Sequence, residues 1–222
     1  MSEERHSKPM VEPLLTDKLE IARRESENGL RQTDFVLQEI RRHIAPGAAR
    51  FKLRLSTLLT LNREAVEGIE RNAGAFRTGG MEIFGSCHKP PPGRDVPGLV
   101  EELCEYVNEN WDTASAVHLS AYVMWRINWI HPFDDGNGRT ARAASYLVLS
   151  IRMGCVLPGE QTLPDRISAS KNPYYHALEA ADTAERKSGT IDVSQLEALI
   201  ESGLAAQFVE AIDAATGNQK PS

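Results

Sequence analysis

Apolar residues recur at helical spacing along most of this 222-residue chain, and that period admits an all-α fold and little else. Leu19, Ala22, Leu30, Val36, Leu37 and Ile40 mark a helical stretch over residues 14–44, which Gly29 is expected to divide in two. Pro46-Gly47 punctuates the chain, and amphipathic patterns follow at 51–70, 98–111, 114–130, 139–153, 172–185 and 193–214. One stretch departs from the period. Within 72–97, Arg77-Thr78-Gly79-Gly80-Met81-Glu82-Ile83-Phe84-Gly85 reads as a short hairpin, and Pro90-Pro91-Pro92-Gly93 follows it. The expectation is an all-α domain with one small hairpin. A tail and helical extension cover 1–45, a core covers 46–186 and a helical segment covers 187–222.

Charge narrows the partners. A net charge of −6 argues against a nucleic-acid backbone as principal partner. No window approaches the roughly 18 apolar residues of a spanning helix, and MSEERHSKPM has no apolar leader segment. Cys87, Cys104 and Cys155 have no metal-ligand spacing and read as reduced thiols. A cytoplasmic protein is expected. Its oligomeric state is open, a homodimer included.

Residues 131–142 concentrate the chemistry: a histidine, two aspartates, a Gly-Asn-Gly turn and two arginines. Gly136 and Gly138 take positive φ without a Cβ penalty, and Asn137 tolerates it. Such a turn entering a helix points several backbone N–H groups at one concavity and makes an anion nest. Arg139 and Arg142 share the first helical turn, where cations oppose the helix dipole unless a polyanion binds; their planar forks suit phosphate oxygens. Asp135 beside such a nest suits Mg²⁺, which takes few carboxylates and keeps waters and phosphate oxygens. Either Asp134 or Asp135 would also serve as a helix N-cap. His131, at the end of an apolar helix, is placed to take a proton from a hydroxyl. These parts point to phosphoryl or nucleotidyl transfer, and leave open which phosphorus is attacked. A helical module that docks an anionic partner without turnover is the competing reading; a pure binder needs neither base nor metal ligand.

His131 to Arg142 resembles the signature of the Fic (Fido-domain) family, His-x-Phe-x-Asp/Glu-Gly-Asn-Gly-Arg-x-x-Arg, at every specified position. The resemblance runs over about residues 50–185. Ala75-Phe76-Arg77-Thr78 and the hairpin resemble the family's substrate-positioning flap, and Asn172-Pro173-Tyr174-Tyr175-His176-Ala177-Leu178 resembles the segment closing the nucleotide pocket. It implies an all-α enzyme that transfers AMP from ATP to a Ser, Thr or Tyr hydroxyl of a target protein. By the same resemblance His131 is the general base and Asp135 binds Mg²⁺. The backbone of Gly136, Asn137 and Gly138, with the Asn137 side chain, holds the α- and β-phosphates. Arg139 neutralises the β-phosphate and leaving pyrophosphate, and Arg142 holds the γ-phosphate. Tyr174 and Tyr175 border the adenine or ribose. Ile83, Phe84 and Gly85 lay down the target segment by strand addition. Relatives that use the nucleotide as phosphate donor carry a lysine near Gly138, whereas those moving UMP or phosphocholine have similar loops; some relatives also remove AMP, with an inhibitory glutamate orienting a water.

Many relatives carry an inhibitory helix, Ser/Thr-x-x-x-Glu-Gly/Asn, whose glutamate pairs with the second motif arginine. Glu27-Asn28 is the candidate here, with Arg23 where the pattern has Ser or Thr. The resemblance therefore implies that Glu27 pairs with Arg142 and keeps the chain nearly silent.

Overall fold

The computed structural model describes residues 6–7 and 12–217. Its elements are β1 (His6–Ser7), α1 (Lys18–Ile44), α2 (Leu55–Val66), β2 (Ile83–Phe84), α3 (Val96–Glu109), α4 (Ala116–Ile130), α5 (Asn137–Met153), α6 (Leu163–Ala169), α7 (Lys171–Ser188) and α8 (Ser194–Thr216). The all-α expectation holds. Among the described residues no helix is long and apolar enough to cross a membrane.

Helices α4 and α5 form the centre. Both are apolar around most of their circumference, which is tenable only for buried helices. Leu119, Val123, Ile127, Ala144, Leu147 and Val148 are all fully buried, each worth roughly 1.5–3 kcal/mol for the larger side chains. The Ser120 and Ser145 hydroxyls, 2.6 Å apart, satisfy each other where the two helices cross. Helices α1 and α2 pack on α5, and α3, α7 and α8 pack on α4. The loop at 131–136 therefore sits where the two innermost helices end and begin.

Helix α1 is unbroken. The Asp17 carboxylate caps it by accepting from Glu20 N–H at 2.9 Å. Asn28, Gln32, Val36 and Ile40, four apart, form its buried face. Gly29 costs a helix about 1 kcal/mol, and the packing of that continuous face on α2 and α5 outweighs it.

Two local expectations change. Residues 162–169, expected as loop, hold the short helix α6, opened by Asp165 accepting from Thr162 N–H at 3.0 Å. The hairpin over 77–85 does not close on itself. Its first arm is held elsewhere, because Arg77 N–H donates to Pro132 O at 2.9 Å. Its second arm, β2, pairs antiparallel with β1 instead.

Candidate active site

The turn from α4 into α5 is built by backbone conformations that most residues avoid. His131 ends α4 in the left-handed region, at φ 51° and ψ 60°, the sole non-glycine with positive φ among the described residues. Left-handed backbone without glycine costs roughly 1–2 kcal/mol, so the surrounding contacts must hold it there. Arg77 provides most of them. Its buried guanidinium donates to the carbonyls of His131 (2.7 Å), Ile130 (3.1 Å), Pro91 (2.6 Å) and Gly79 (2.6 Å). A single cation thus ties the flap, the Pro-rich loop and the end of α4 together.

Helix α5 begins at Gly136, φ 77°. A Cβ there would lie 2.7 Å from Val66 Cγ1 and 3.0 Å from Asn62 Nδ2, so the position demands glycine for space as well as for φ. Asn62, fully buried on α2, donates to Asp135 O at 2.9 Å and accepts from Gly74 N–H at 3.0 Å. The first acceptor inside the helix is Gly136 O, bonded by Thr140 N–H. The N–H groups of Asn137, Gly138 and Arg139 have no hydrogen-bond acceptor among the described residues, the condition of an anion nest at a helix N-terminus.

The Asn137 side chain is not part of that nest. Its Oδ1 accepts from Phe133 N–H at 2.9 Å and its Nδ2 donates to Phe133 O at 2.8 Å. The expected contact with phosphate therefore falls to its backbone, while the side chain clamps the loop. Neither aspartate caps α5. Asp134 is buried and accepts from Asn72 at 2.9 Å, and Asp135 accepts from Arg139 Nη2 at 2.8 Å.

His131 is 6% exposed. Its Nδ1 lies 3.3 Å from Asn128 O, so Nδ1 carries the proton and Nε2 is the basic nitrogen. Burial, seconded by the positive groups of Arg77 and His88, pushes its pKa down to about 3, against the pull of the Asn128 bond. The imidazole is neutral at pH 7. Glu70 is shifted the other way, up to about 7, by burial and by the nearby charges of Asp135 and Asp134, with Arg139 opposing.

A cavity of about 920 Å³ gathers these groups. His131, Asp135, Gly136, Asn137, Gly138, Arg139, Arg142, Tyr174, Tyr175 and Ile83 all line it. The guanidinium of Arg142 lies along the first turn of α5, 3.3 Å from where a Cβ on Gly138 would sit. Tyr174 is buried with its hydroxyl accepting from Asn128 Nδ2 at 2.7 Å, and the Tyr175 ring lies 5.8 Å from it. Phe84 is not in this cavity: it is 45% exposed, and Gly85 turns away beyond it at φ 74°.

Glu27 is not brought to Arg142. It faces outward and pairs with Arg23 (3.0 Å) and Arg24 (3.6 Å). Glu25 is the α1 carboxylate that reaches the site, accepting from Arg139 Nη1 at 2.9 Å. Glu25 and Glu27 are two residues apart, about 200° around a helix, and Glu25 shares the face of Asn28 three residues on. Sequence reading missed Glu25, Asn62, His88 and Asp182. His88 lines the cavity with Nε2 donating to Trp129 O at 2.7 Å, and Asp182 lines it while accepting from Trp125 Nε1 at 2.8 Å. None of these had a local signal, since each acts through partners dozens of residues away.

Comparison with known proteins agrees with this geometry. The fold and the loop at 131–142 define a helical domain of the Fic type, and residues 52–149 match the Fic/DOC family. That match covers a little under half of the chain, and the fold is that of a Fic domain. It is 27% identical over 141 residues to "Protein adenylyltransferase Fic" of Drosophila persimilis, a match covering 61% of this chain and 25% of that protein. The chain thus spans about a quarter of the curated relative's length. Among solved structures, a Fic domain containing signaling protein from Bacteroides thetaiotaomicron superposes with a TM-score of 0.72 at 21% identity, covering 93% of this chain and 78% of that one. BepC from Bartonella tribocorum, solved with bound AMPPNP, gives 0.56 at 13% identity, covering 85% and 88%.

Proposed function

We propose that the chain is a Fic-type transferase that moves AMP from ATP to a Ser, Thr or Tyr hydroxyl of a target protein. The observation that carries this reading is a neutral imidazole and three unsatisfied helix N–H groups facing one cavity with two arginines. The Drosophila relative is named an adenylyltransferase, and the Bartonella structure holds an ATP analogue.

In this reading the backbone N–H groups of residues 137–139 hold phosphate oxygens, aided by the positive end of α5. His131 Nε2 takes the proton as the target oxygen bonds to the α-phosphorus. The bond from that phosphorus to the oxygen bridging to the β-phosphate breaks, and pyrophosphate leaves. Arg139 and Arg142 neutralise the charge that gathers on it. Neutral His131 needs no prior deprotonation at pH 7.

The donor set suits Mg²⁺ in part. The described residues hold no cluster of three acidic, His or Cys side chains that would cage an ion. One carboxylate beside a phosphate nest is nevertheless what Mg²⁺ accepts when substrate oxygens complete its shell. Asp135 would hold it, and the ion would neutralise phosphate charge. As the site stands, Asp135 and Glu25 both occupy Arg139. We therefore place the brake on activity at Glu25, in place of Glu27.

The test is incubation of the Glu25→Ala chain with α-labelled and, separately, γ-labelled ATP and Mg²⁺. Covalent label is expected from the α position alone and is lost in the added His131→Ala variant. Label from the γ position only would make the chain a kinase, and label from neither in any variant would leave a binding module.

A further inference from the structure

The flap edge already has an occupant. Strand β2 pairs antiparallel with β1, Phe84 opposite His6 and Ile83 opposite Ser7. The partners come from opposite ends of the segment that precedes α3, separated by the whole of α1 and α2. Ile83 lines the cavity that holds His131 and Asp135, whereas Phe84, 45% exposed, lines only the neighbouring one at the Pro-rich loop. A chain laid along this edge therefore runs past the mouth of the cavity.

Each main-chain N–H of an edge donates to one strand partner at a time, and two strands cannot lie along the same edge together. An isolated pair of two-residue strands is marginal in water, so an occupant of this kind is displaceable. Strand addition takes its affinity from the main chain, so the edge selects an extended segment rather than a particular sequence.

We propose that His6–Ser7 is a resident strand of the flap, docked in cis on the edge that receives an extended target segment, so that a target must displace it. The functional part rests on the transferase reading above; the docking itself does not. An extended polypeptide is the class of partner the edge takes, and the chain supplies its own competitor.

Amide hydrogen exchange at Ile83 and Phe84, measured without nucleotide, tests the docking. Three chains are compared: the wild type, His6→Pro/Ser7→Pro, and His6→Ala/Ser7→Ala. The proline pair is expected to exchange at least tenfold faster at the ladder amide, with α4 and α5 amides unchanged as a control for folding. The alanine pair keeps its N–H groups and is expected to match the wild type. Equal exchange in the wild type and the proline pair overturns the proposal, as does loss of protection in the alanine pair, which would assign the contact to side chains. Because no nucleotide is present, a chain that never transfers AMP would end the transferase reading and leave this result intact.

Discussion

His131 combines two properties that ordinarily conflict: it is buried, and it is placed to receive a proton. Burial keeps the imidazole neutral far below its usual pKa near 6.5. Transfer activity is therefore expected to stay flat from pH 7.5 to pH 6, where an exposed histidine would already be more than half protonated. A midpoint near 6.5 in the pH–rate profile would contradict the burial. Glu70 carries the opposite sign. Its folded pKa of about 7 exceeds the ordinary value of 4.5, so the fold favours the neutral acid. That contribution is complete below about pH 4.5 and is lost as pH rises through 7. Glu70→Gln should match the wild type in unfolding free energy near pH 4 and exceed it at pH 8, by roughly 1–2 kcal/mol. Thermal melts at the two pH values decide it; no difference at pH 8 would contradict the shift.

At the scale of elements, the link between α4 and α5 is held from outside by α2, the flap and the Pro-rich loop. Arg77→Met leaves four carbonyls without their donor and is expected to cost about 3–5 kcal/mol, read by denaturant unfolding; a loss under 1 kcal/mol would remove Arg77 from this role. Gly29→Ala should do the reverse. A Cβ at Gly29 meets nothing within 4 Å, so alanine should stabilise α1 by about 0.5–1 kcal/mol. These cases show what the sequence makes visible. The loop at 131–142 was legible because its histidine, glycines and arginines are contiguous, and the helices because their apolar period is local. Gly29 misled because propensity is weak beside a packed face of four-residue period. The flap misled because its pairing partner lies far away, and no alternation within 77–85 reveals β1. Arg77 was visible as part of the flap, but its tie to the carbonyls at 130–131 depends on tertiary approach. Asn137 was assigned to phosphate by its place in the motif, whereas its side chain is consumed by Phe133.

At the scale of the molecule, α1 closes one side of the cavity with Glu25 on Arg139, and β1 lies on the flap at the other. Releasing the first contact should raise self-labelling with α-labelled ATP at least several-fold in Glu25→Ala, with Glu27→Ala indistinguishable from wild type. The reverse ranking would return the brake to Glu27 and require α1 to rotate. Beneath both contacts lies the claim that the N-terminus of α5 grips the phosphates of a nucleotide. The most direct measurement is an ATP titration, with Mg²⁺, of nitrogen-15-labelled Glu25→Ala/His131→Ala, which separates binding from chemistry. The Gly138 and Arg139 amide resonances are expected to shift most and to saturate together. A folded variant whose largest shifts lie elsewhere, or which shows none at millimolar ATP, would contradict the account.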